Sequence, residues 1–261
     1  MIKLSIKKLT KFTVACTILI VSFSGFCTFS SEMDNWAVVV IDFQGDFTHY
    51  KAGSLAIPGT DDSYVQDVIE KTLDLKSKGL TIIATQDWHP EGHISFYTTY
   101  LDKKPFDTIL IDCKHHKEIE KSTLEKKIQV LWPPHCIQNK PGSELLFHEY
   151  PIADIIVQKG THIIYDSYSG FEDDGGVETE LHSLLQIKKI DHLITYGLAT
   201  DFCVQATVLD ALKRGYRVSL IHELCRGVNE VDCLASILKM QQEGAVVYPT
   251  LSDFWKNVSQ V

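Results

Sequence analysis

Three side chains that could together hydrolyse an amide each stand just beyond a predicted strand: Asp42, Lys159 and Cys203. Cys203 lies where a loop enters a helix, and the positive end of a helix dipole lowers the pKa of a thiol. Free backbone N–H groups in the same turn can hold the oxyanion that forms when a thiolate attacks a carbonyl. Asp42 could take the thiol proton and deliver it to departing ammonia, with the Lys159 cation beside it. Taken alone, each side chain has an ordinary structural role, so the hypothesis depends on their expected proximity.

A candidate metal site comes from Asp87, His89 and His135. Asp87 and His89 are two residues apart, which places both side chains on the same side of an extended segment. Two His and one Asp form a mixed nitrogen and oxygen set that leaves positions open for water or substrate. We expect one divalent metal ion, Zn, Fe or Mn, and the residue types do not choose among them.

These side chains need a scaffold that brings the ends of several strands together, and the rest of the chain predicts one. Short apolar runs alternate with amphipathic helical segments, which indicates a parallel sheet covered by helices. The predicted strands are Trp36–Ile41, Leu80–Thr85, Ile155–Val157, His192–Tyr196, Arg217–Ile221 and Ala245–Val247. The predicted helices are Asp61–Lys78, Glu178–Ile187, Cys203–Arg214 and Val231–Glu243. The fold class is α/β, a three-layer doubly wound, mostly parallel sheet with helices on both faces, in which ligands bind beyond the carboxyl ends of the strands.

The chain of 261 residues suits a single α/β core, and we expect one domain from residue 34 to residue 261. Residues 92–130 are polar and rich in lysine, and they predict an elaborated loop or small subdomain over the sheet. Residues 1–31 place four Lys before the uncharged run Phe12–Ser31, the layout of a signal peptide, or of a membrane anchor if it is not cleaved. We therefore expect an exported protein, periplasmic or secreted, that contacts a membrane only through residues 12–31.

The net charge of −9 becomes −13 if residues 1–31 are removed, because they carry four Lys and no acid. An acidic body without a basic stripe argues against nucleic acid and anionic membrane surfaces as partners. The oligomeric state stays open, a homo-oligomer included. The seven Cys do not follow a disulfide framework, so the sequence does not say whether Cys113, Cys136, Cys225 and Cys233 pair.

Seven segments resemble, in the same order, those of the nicotinamidase and pyrazinamidase branch of the isochorismatase-like cysteine hydrolases. They are IDFQGDF (41–47), TQDWHPEGHISF (85–96), LWPPHC (131–136), QKG (158–160), YSGF (168–171), GLATDFCV (197–204) and RGV (226–228). The combination of DWH, WPPHC and GLATDFCV is far more specific than any one segment. The stretch between His89 and His135 is longer than in compact bacterial members, and His93 within it stays a candidate for supporting the metal site.

The resemblance implies roles for individual residues. The implied catalytic triad is Asp42, Lys159 and Cys203, and the implied metal ligands are Asp87, His89 and His135. Phe47 and Trp132 match the positions that hold a flat heteroaromatic ring by stacking. A cis peptide bond is implied between Ala199 and Thr200, and it would help the N–H groups of Ala199 and Cys203 face the oxyanion.

The implied reaction is hydrolysis of nicotinamide to nicotinate and ammonia through a thioester, with pyrazinamide as a second substrate and the metal on the ring nitrogen. In the nearer alternative, a related hydrolase of the same superfamily acts on another amide or carbamoyl substrate. In the farther alternative, a secreted protein binds nicotinamide or a metal without turnover. The set of Asp42, Lys159 and Cys203 argues against a binding protein, because binding needs no nucleophile. An export signal is unusual for an enzyme of NAD salvage, which is ordinarily cytosolic.

Overall fold

The computed structural model describes residues 33–112, 126–147 and 151–258. The expected leader of residues 1–31, and with it the expectation of export, lies outside the described residues, as does Cys113. Within the described ranges, no helix is long and apolar enough to cross a membrane. Cys136, Cys203, Cys225 and Cys233 are free thiols.

The described residues form eight strands and five α-helices. The strands are β1 (Trp36–Ile41), β2 (Thr81–Asp87), β3 (Thr108–Asp112), β4 (Lys126–Val130), β5 (Ile155–Lys159), β6 (His192–Gly197), β7 (Arg217–Ile221) and β8 (Val246–Tyr248). The helices are α1 (Asp62–Ser77), α2 (Leu181–Ile187), α3 (Gln205–Lys213), α4 (Glu230–Gln242) and α5 (Leu251–Val258). Six strands form one sheet in the order β5-β2-β1-β6-β7-β8, and every neighbouring pair is parallel.

Strand β1 lies inside the sheet because its sequence, WAVVVI, is apolar without alternation, as expected of a strand covered on both faces. From β1 the chain continues to β2 and β5 on one side, and from β6 it continues to β7 and β8 on the other. Since parallel crossovers are right-handed, this reversal places α1 on one face of the sheet and α3 and α4 on the opposite face. The predicted α/β fold, three-layered and doubly wound, is confirmed.

Each predicted strand and helix is present, with ends that differ from the prediction by at most three residues. Strands β2 and β5 extend beyond the predicted apolar runs because their polar last residues, Asp87 and Lys159, still pair in register. The helix predicted from Cys203 becomes α-helical only at Gln205, because a π-helical turn, Thr200–Val204, precedes α3.

Two described features were not predicted. The polar segment 92–130 contains the antiparallel hairpin of β3 and β4, which pairs Leu110 with Ile128. Helix α5 follows β8 at the end of the described chain and buries Leu251 and Phe254. Its eight residues were too few for a helical period to be recognised beside the preceding strand.

Candidate active site

The carboxyl ends of four strands meet at one edge of the sheet, and the predicted site residues lie there. Asp42 directly follows β1, Asp87 and Lys159 end β2 and β5, and Cys203 lies one turn beyond β6. Asp87 and Lys159 are paired neighbours across the two strands. Because the order of the strands reverses at β1, this edge is the topological switch point, where open α/β sheets bind their ligands.

The ammonium group of Lys159 lies at the centre of the site. Its Nζ is 2.5 Å from Asp87 Oδ1, 2.7 Å from Ser167 O, 2.9 Å from Asp42 Oδ2 and 3.5 Å from Cys203 Sγ. Burial alone would lower the pKa of Lys159, but the carboxylates of Asp42 and Asp87 outweigh it and raise that pKa well above its ordinary value. Lys159 is therefore a permanent cation that compensates two buried carboxylates.

The Asp42 carboxylate is placed to exchange a proton with Cys203. Its Oδ1 accepts a hydrogen bond from Thr85 Oγ1 at 2.6 Å, and a backbone φ of +47° turns the chain out of β1. Burial raises the pKa of Asp42, although the Lys159 ammonium opposes that rise. Its Oδ2 forms an ion pair with Lys159 Nζ at 2.9 Å. The Cys203 thiol lies within hydrogen-bonding reach of this carboxylate.

The thiol of Cys203 is buried, and burial reverses the expectation of a lowered pKa. Burial raises the pKa of Cys203 well above its ordinary value, the Lys159 ammonium lowers it, and the carboxylates of Asp42 and Asp87 raise it further. The expectation of a lowered pKa for this thiol is therefore wrong, because the largest influence on that pKa is burial, which favours the neutral thiol. At rest the candidate nucleophile is a thiol, and it becomes a thiolate only when a base takes its proton.

The cis peptide bond lies between Leu198 and Ala199, so the prediction of a cis bond between Ala199 and Thr200 is wrong by one residue. The resemblance located the bond within a segment that has no proline, and the residue types do not distinguish the two peptide groups. Ala199 and Cys203, the residues predicted to supply the oxyanion N–H groups, both line the same cavity.

Asp87, His89 and His135 form a compact set whose ligand atoms all lie within 4.8 Å of one another. Asp87 Oδ2 is 3.4 Å from His89 Nε2 and 3.9 Å from His135 Nε2. Two ligand atoms that bind one tetrahedral zinc ion are separated by about 3.3 Å, so this set fits a metal ion of that kind. The other nitrogen of each ring, Nδ1, bonds a backbone carbonyl, Gly160 O for His89 and Pro133 O for His135. Such bonds orient imidazole ligands and select the Nε2 atom for the metal.

His93 supports this set and is not free to join it. Its ring stacks on that of His89, with centroids 4.1 Å apart. Its Nε2 bonds Tyr165 O at 2.9 Å, and its Nδ1 lies 2.7 Å from Ser95 Oγ. Asp166 has a ligand atom within 4.8 Å of those of His89 and His93, but both nitrogens of His93 are engaged, which argues against a metal there.

Two residues that the sequence analysis did not assign hold the metal set in place. Gln44 Nε2 donates to Asp87 O, and Asp87 N–H donates to Gln44 Oε1, each at 2.8 Å. Gly160, which accepts the bond from His89 Nδ1, has a φ of +63°, and a Cβ there would lie 2.5 Å from His89 Cε1. Gln44 lies in the segment IDFQGDF and Gly160 in the segment QKG. In these segments the residue type alone does not distinguish a supporting residue from one that would take part in the reaction.

The cavity above the thiol is narrow and mainly apolar, with a space of about 400 Å³ including the part open to solvent. Its apolar walls are Phe47, Leu55, Ile57, Trp132, Phe202 and Val228. Trp132 Nε1 donates to Tyr168 Oη at 3.0 Å, and Phe202 meets the indole edge-on with centroids 4.8 Å apart. Phe47 and Trp132 were predicted to hold a ring and both line the cavity, whereas Tyr168 and Phe202 were missed although they lie in the quoted segments.

The chain is similar in sequence and in structure to known proteins. An isochorismatase domain matches residues 36–251. The nicotinamidase of Escherichia coli is 38% identical over 224 residues, which cover 84% of this chain and 96% of that protein. The structure of the Pyrococcus horikoshii pyrazinamidase in complex with zinc has a TM-score of 0.65 and 31% identity, and the match covers 82% of this chain and 98% of that one. The yeast nicotinamidase bound to the inhibitor nicotinaldehyde has a TM-score of 0.73 and 25% identity, with 81% and 98% covered.

The matched domain runs from the first residue of β1 to the first residue of α5. It therefore includes every residue of the candidate triad and of the candidate metal set. The chain belongs to the isochorismatase domain family, on its nicotinamidase and pyrazinamidase branch.

Proposed function

We propose that this protein hydrolyses nicotinamide to nicotinate and ammonia, a step of NAD salvage, and that pyrazinamide is a second substrate. One observation carries the proposal: the buried thiol of Cys203, which has Asp42 beside it, lines the same cavity as an open set of one Asp and two His. A thiol that attacks the carboxamide and a metal position that recognises a ring nitrogen are what a pyridine carboxamide requires together. The names of the relatives, nicotinamidase and pyrazinamidase, support the same substrate class.

The first half of the proposed reaction forms a thioester. Asp42 takes the proton of Cys203 while the sulfur bonds to the carboxamide carbon and the electron pair of the C=O bond moves to oxygen. The N–H groups of Ala199 and Cys203 stabilise that oxyanion. Asp42 then gives its proton to the amide nitrogen, the C–N bond breaks, and ammonia leaves.

The second half returns the enzyme to its starting state. Water attacks the thioester carbon as Asp42 takes one of its protons, and the C–S bond breaks with its electron pair on sulfur. The nicotinic acid that forms loses its remaining proton to solvent and leaves as nicotinate. The proton on Asp42 then returns to Cys203. Lys159 lies 2.9 Å from Asp42 Oδ2 and 3.5 Å from Cys203 Sγ, so one cation stabilises whichever of the two groups carries the negative charge.

We propose that the divalent metal is zinc, with iron or manganese as alternatives, held by Asp87, His89 and His135. The zinc complex of the Pyrococcus horikoshii pyrazinamidase supports this identity. When bound, the metal supplies a Lewis-acid position for the ring nitrogen of the substrate. Phe47 and Trp132 would hold the ring between them by stacking.

The two rival functions lack a supporting observation. A hydrolase of another amide or a carbamoyl group would not need an open metal set beside its nucleophile. A protein that only binds nicotinamide would not need the buried thiol, acid and cation, which are costly to desolvate without a function.

The test of the proposed function is ammonia release by zinc-loaded protein that comprises residues 32–261. We expect turnover of nicotinamide on the order of 1 to 10² per second. Benzamide, which has the same shape without the ring nitrogen, should show a kcat/KM at least about 10²-fold lower. No ammonia from folded, zinc-loaded protein would refute the function, and equal rates on both amides would refute the role of the ring nitrogen alone.

His135→Ala tests the metal set separately. Because it removes one of three ligands, we expect bound zinc, measured by elemental analysis after dialysis, to fall from about one ion per chain to less than about a tenth. The matched control is His162→Ala, which removes a half-exposed His paired with Asp173 and should leave the zinc content unchanged. Unchanged zinc in His135→Ala would show that the third ligand is wrongly assigned.

A further inference from the structure

Asp46 takes no part in the proposed reaction, yet its carboxylate and its carbonyl both hold other segments. Its Oδ2 accepts the N–H of Cys136 at 2.7 Å, and its Oδ1 accepts the N–H of Ser54 at 3.3 Å. Its carbonyl oxygen accepts the N–H of Leu55 at 3.0 Å. Asp46 thus joins three separate segments: its own 3₁₀ turn with Phe47, the segment around Ser54, and the WPPHC segment.

The two peptide groups that flank His135 are both held by this arrangement. Ser54 Oγ donates to the carbonyl oxygen of Pro134 at 2.7 Å, on the peptide before His135. The N–H of Cys136, on the peptide after His135, donates to Asp46. Because the two flanking peptide planes set the direction of a Cα–Cβ bond, these two hydrogen bonds aim the His135 ring.

Two glycines, Gly53 and Gly142, pack closely against Asp46. A Cβ at Gly142 would lie 2.2 Å from the Asp46 carboxylate, and a Cβ at Gly53 would lie 2.2 Å from its carbonyl oxygen. Neither position accepts a side chain unless its neighbours shift. The N–H of Cys136 donates to the carboxylate, and Cys136 has a φ of +46°. A residue other than glycine keeps this left-handed backbone conformation only with support from its surroundings.

We propose that Asp46 is a positioning residue of the metal site, which holds His135 in its ligand orientation through the N–H of Cys136. The proposal rests on the metal set of the proposed function. Asp46 also precedes Phe47, whose ring lies against that of His135 with centroids 5.4 Å apart. The same carboxylate therefore ties the wall of the substrate cavity to the metal ligand.

The test is the affinity of metal-free protein, residues 32–261, for Zn²⁺, measured by competition with a chromophoric chelator without substrate. We expect Asp46→Ala to raise the Kd for Zn²⁺ by about 10-fold or more, the range found for groups that orient metal ligands. Asp46→Asn retains one acceptor oxygen for Cys136 N–H and should recover most of the affinity. Ser54→Ala, at an exposed residue that will not unfold the protein, should raise the Kd about threefold.

The matched control is Asp173→Ala, because Asp173 Oδ1 likewise accepts two backbone N–H groups, from Gly175 and Val177, in another loop. It should leave the Kd for Zn²⁺ unchanged. Wild-type affinity in both Asp46→Ala and Ser54→Ala, or an equal loss in Asp173→Ala, would overturn the proposal. If His135→Ala also binds Zn²⁺ like the wild type, the assignment of the metal ligands is wrong. Because the test measures only Zn²⁺ binding, a failure to hydrolyse nicotinamide would change neither the conclusion on Asp46 nor the conclusion on the metal ligands.

Discussion

Replacing Cys203 by alanine is expected to reduce nicotinamide hydrolysis by at least about 10⁴-fold while the fold stays intact. The proposed thioester cannot form without the sulfur. Alanine is smaller than cysteine and is tolerated at a helix start, so the loss will not come from unfolding. The measurement is ammonia release at saturating nicotinamide, with a thermal melt of each protein alongside.

Cys225→Ala is the matched control for this substitution. Cys225 is also a buried thiol, at 4% exposure, and its Sγ contacts only Ile221 O among the hydrogen-bond acceptors described. We expect this variant to lose some stability and to keep the wild-type turnover number. If Cys203→Ala released ammonia at more than about a hundredth of the wild-type rate, water rather than a thiolate would be the attacking group.

The sheet and the positions of the reacting residues could be predicted because both depend on local patterns. Continuous apolar runs identify buried parallel strands, and in such sheets the residues just beyond the strands share one edge. Asp42, Lys159 and Cys203 were assigned in this way, and the structure places the Lys159 ammonium group in contact with both Asp42 and Cys203.

The electrostatic state of the site could not be predicted, because it depends on which distant segments cover it. The helix start before α3 suggested a thiolate at Cys203, but residues of distant segments line the cavity beside it: Phe47, Leu55, Ile57, Trp132 and Tyr168. Burial raises the pKa of the thiol, which the helix start alone does not indicate. The supporting roles of Gln44 and Asp46 were also hidden, since a carboxamide or carboxylate that binds backbone groups leaves no pattern in the sequence.

Asp87 connects the two halves of the site. Its Oδ1 accepts the bond from Lys159, while its Oδ2 faces the nitrogens of His89 and His135. Burial would raise the pKa of Asp87, but the Lys159 ammonium and His89 outweigh it and hold that pKa well below its usual range. One ionised carboxylate is thus shared by the proposed metal and the proposed catalytic cation, so a change at Lys159 affects both.

Lys159→Met should therefore destabilise the protein more than any other single substitution at the site, by about 3 to 5 kcal/mol in the free energy of unfolding. Methionine keeps most of the volume but removes the ammonium group that lies between Asp42 and Asp87, which are both buried. Two unpaired carboxylates then repel each other, and the pKa of at least one rises above its value in the unfolded chain. A carboxyl group whose pKa is raised in the folded protein stabilises the fold at pH values below its pKa in the unfolded chain. This stabilisation is lost as the pH rises through the pKa of the folded state. The deficit relative to wild type should accordingly be larger at pH 8 than at pH 5.

Urea unfolding of metal-free protein at both pH values measures this deficit, since a bound cation would otherwise replace the missing charge. Lys213→Met is the matched control: the side chain of Lys213 is 75% exposed and its ammonium pairs with Asp210 at 3.0 Å, so this pair should contribute less than about 1 kcal/mol at either pH. An equal and small effect of both substitutions would mean that Asp42 and Asp87 do not carry charge together in the folded protein. Asp42 would then already hold a proton at rest, and it could not accept the proton of Cys203 as the proposed reaction requires.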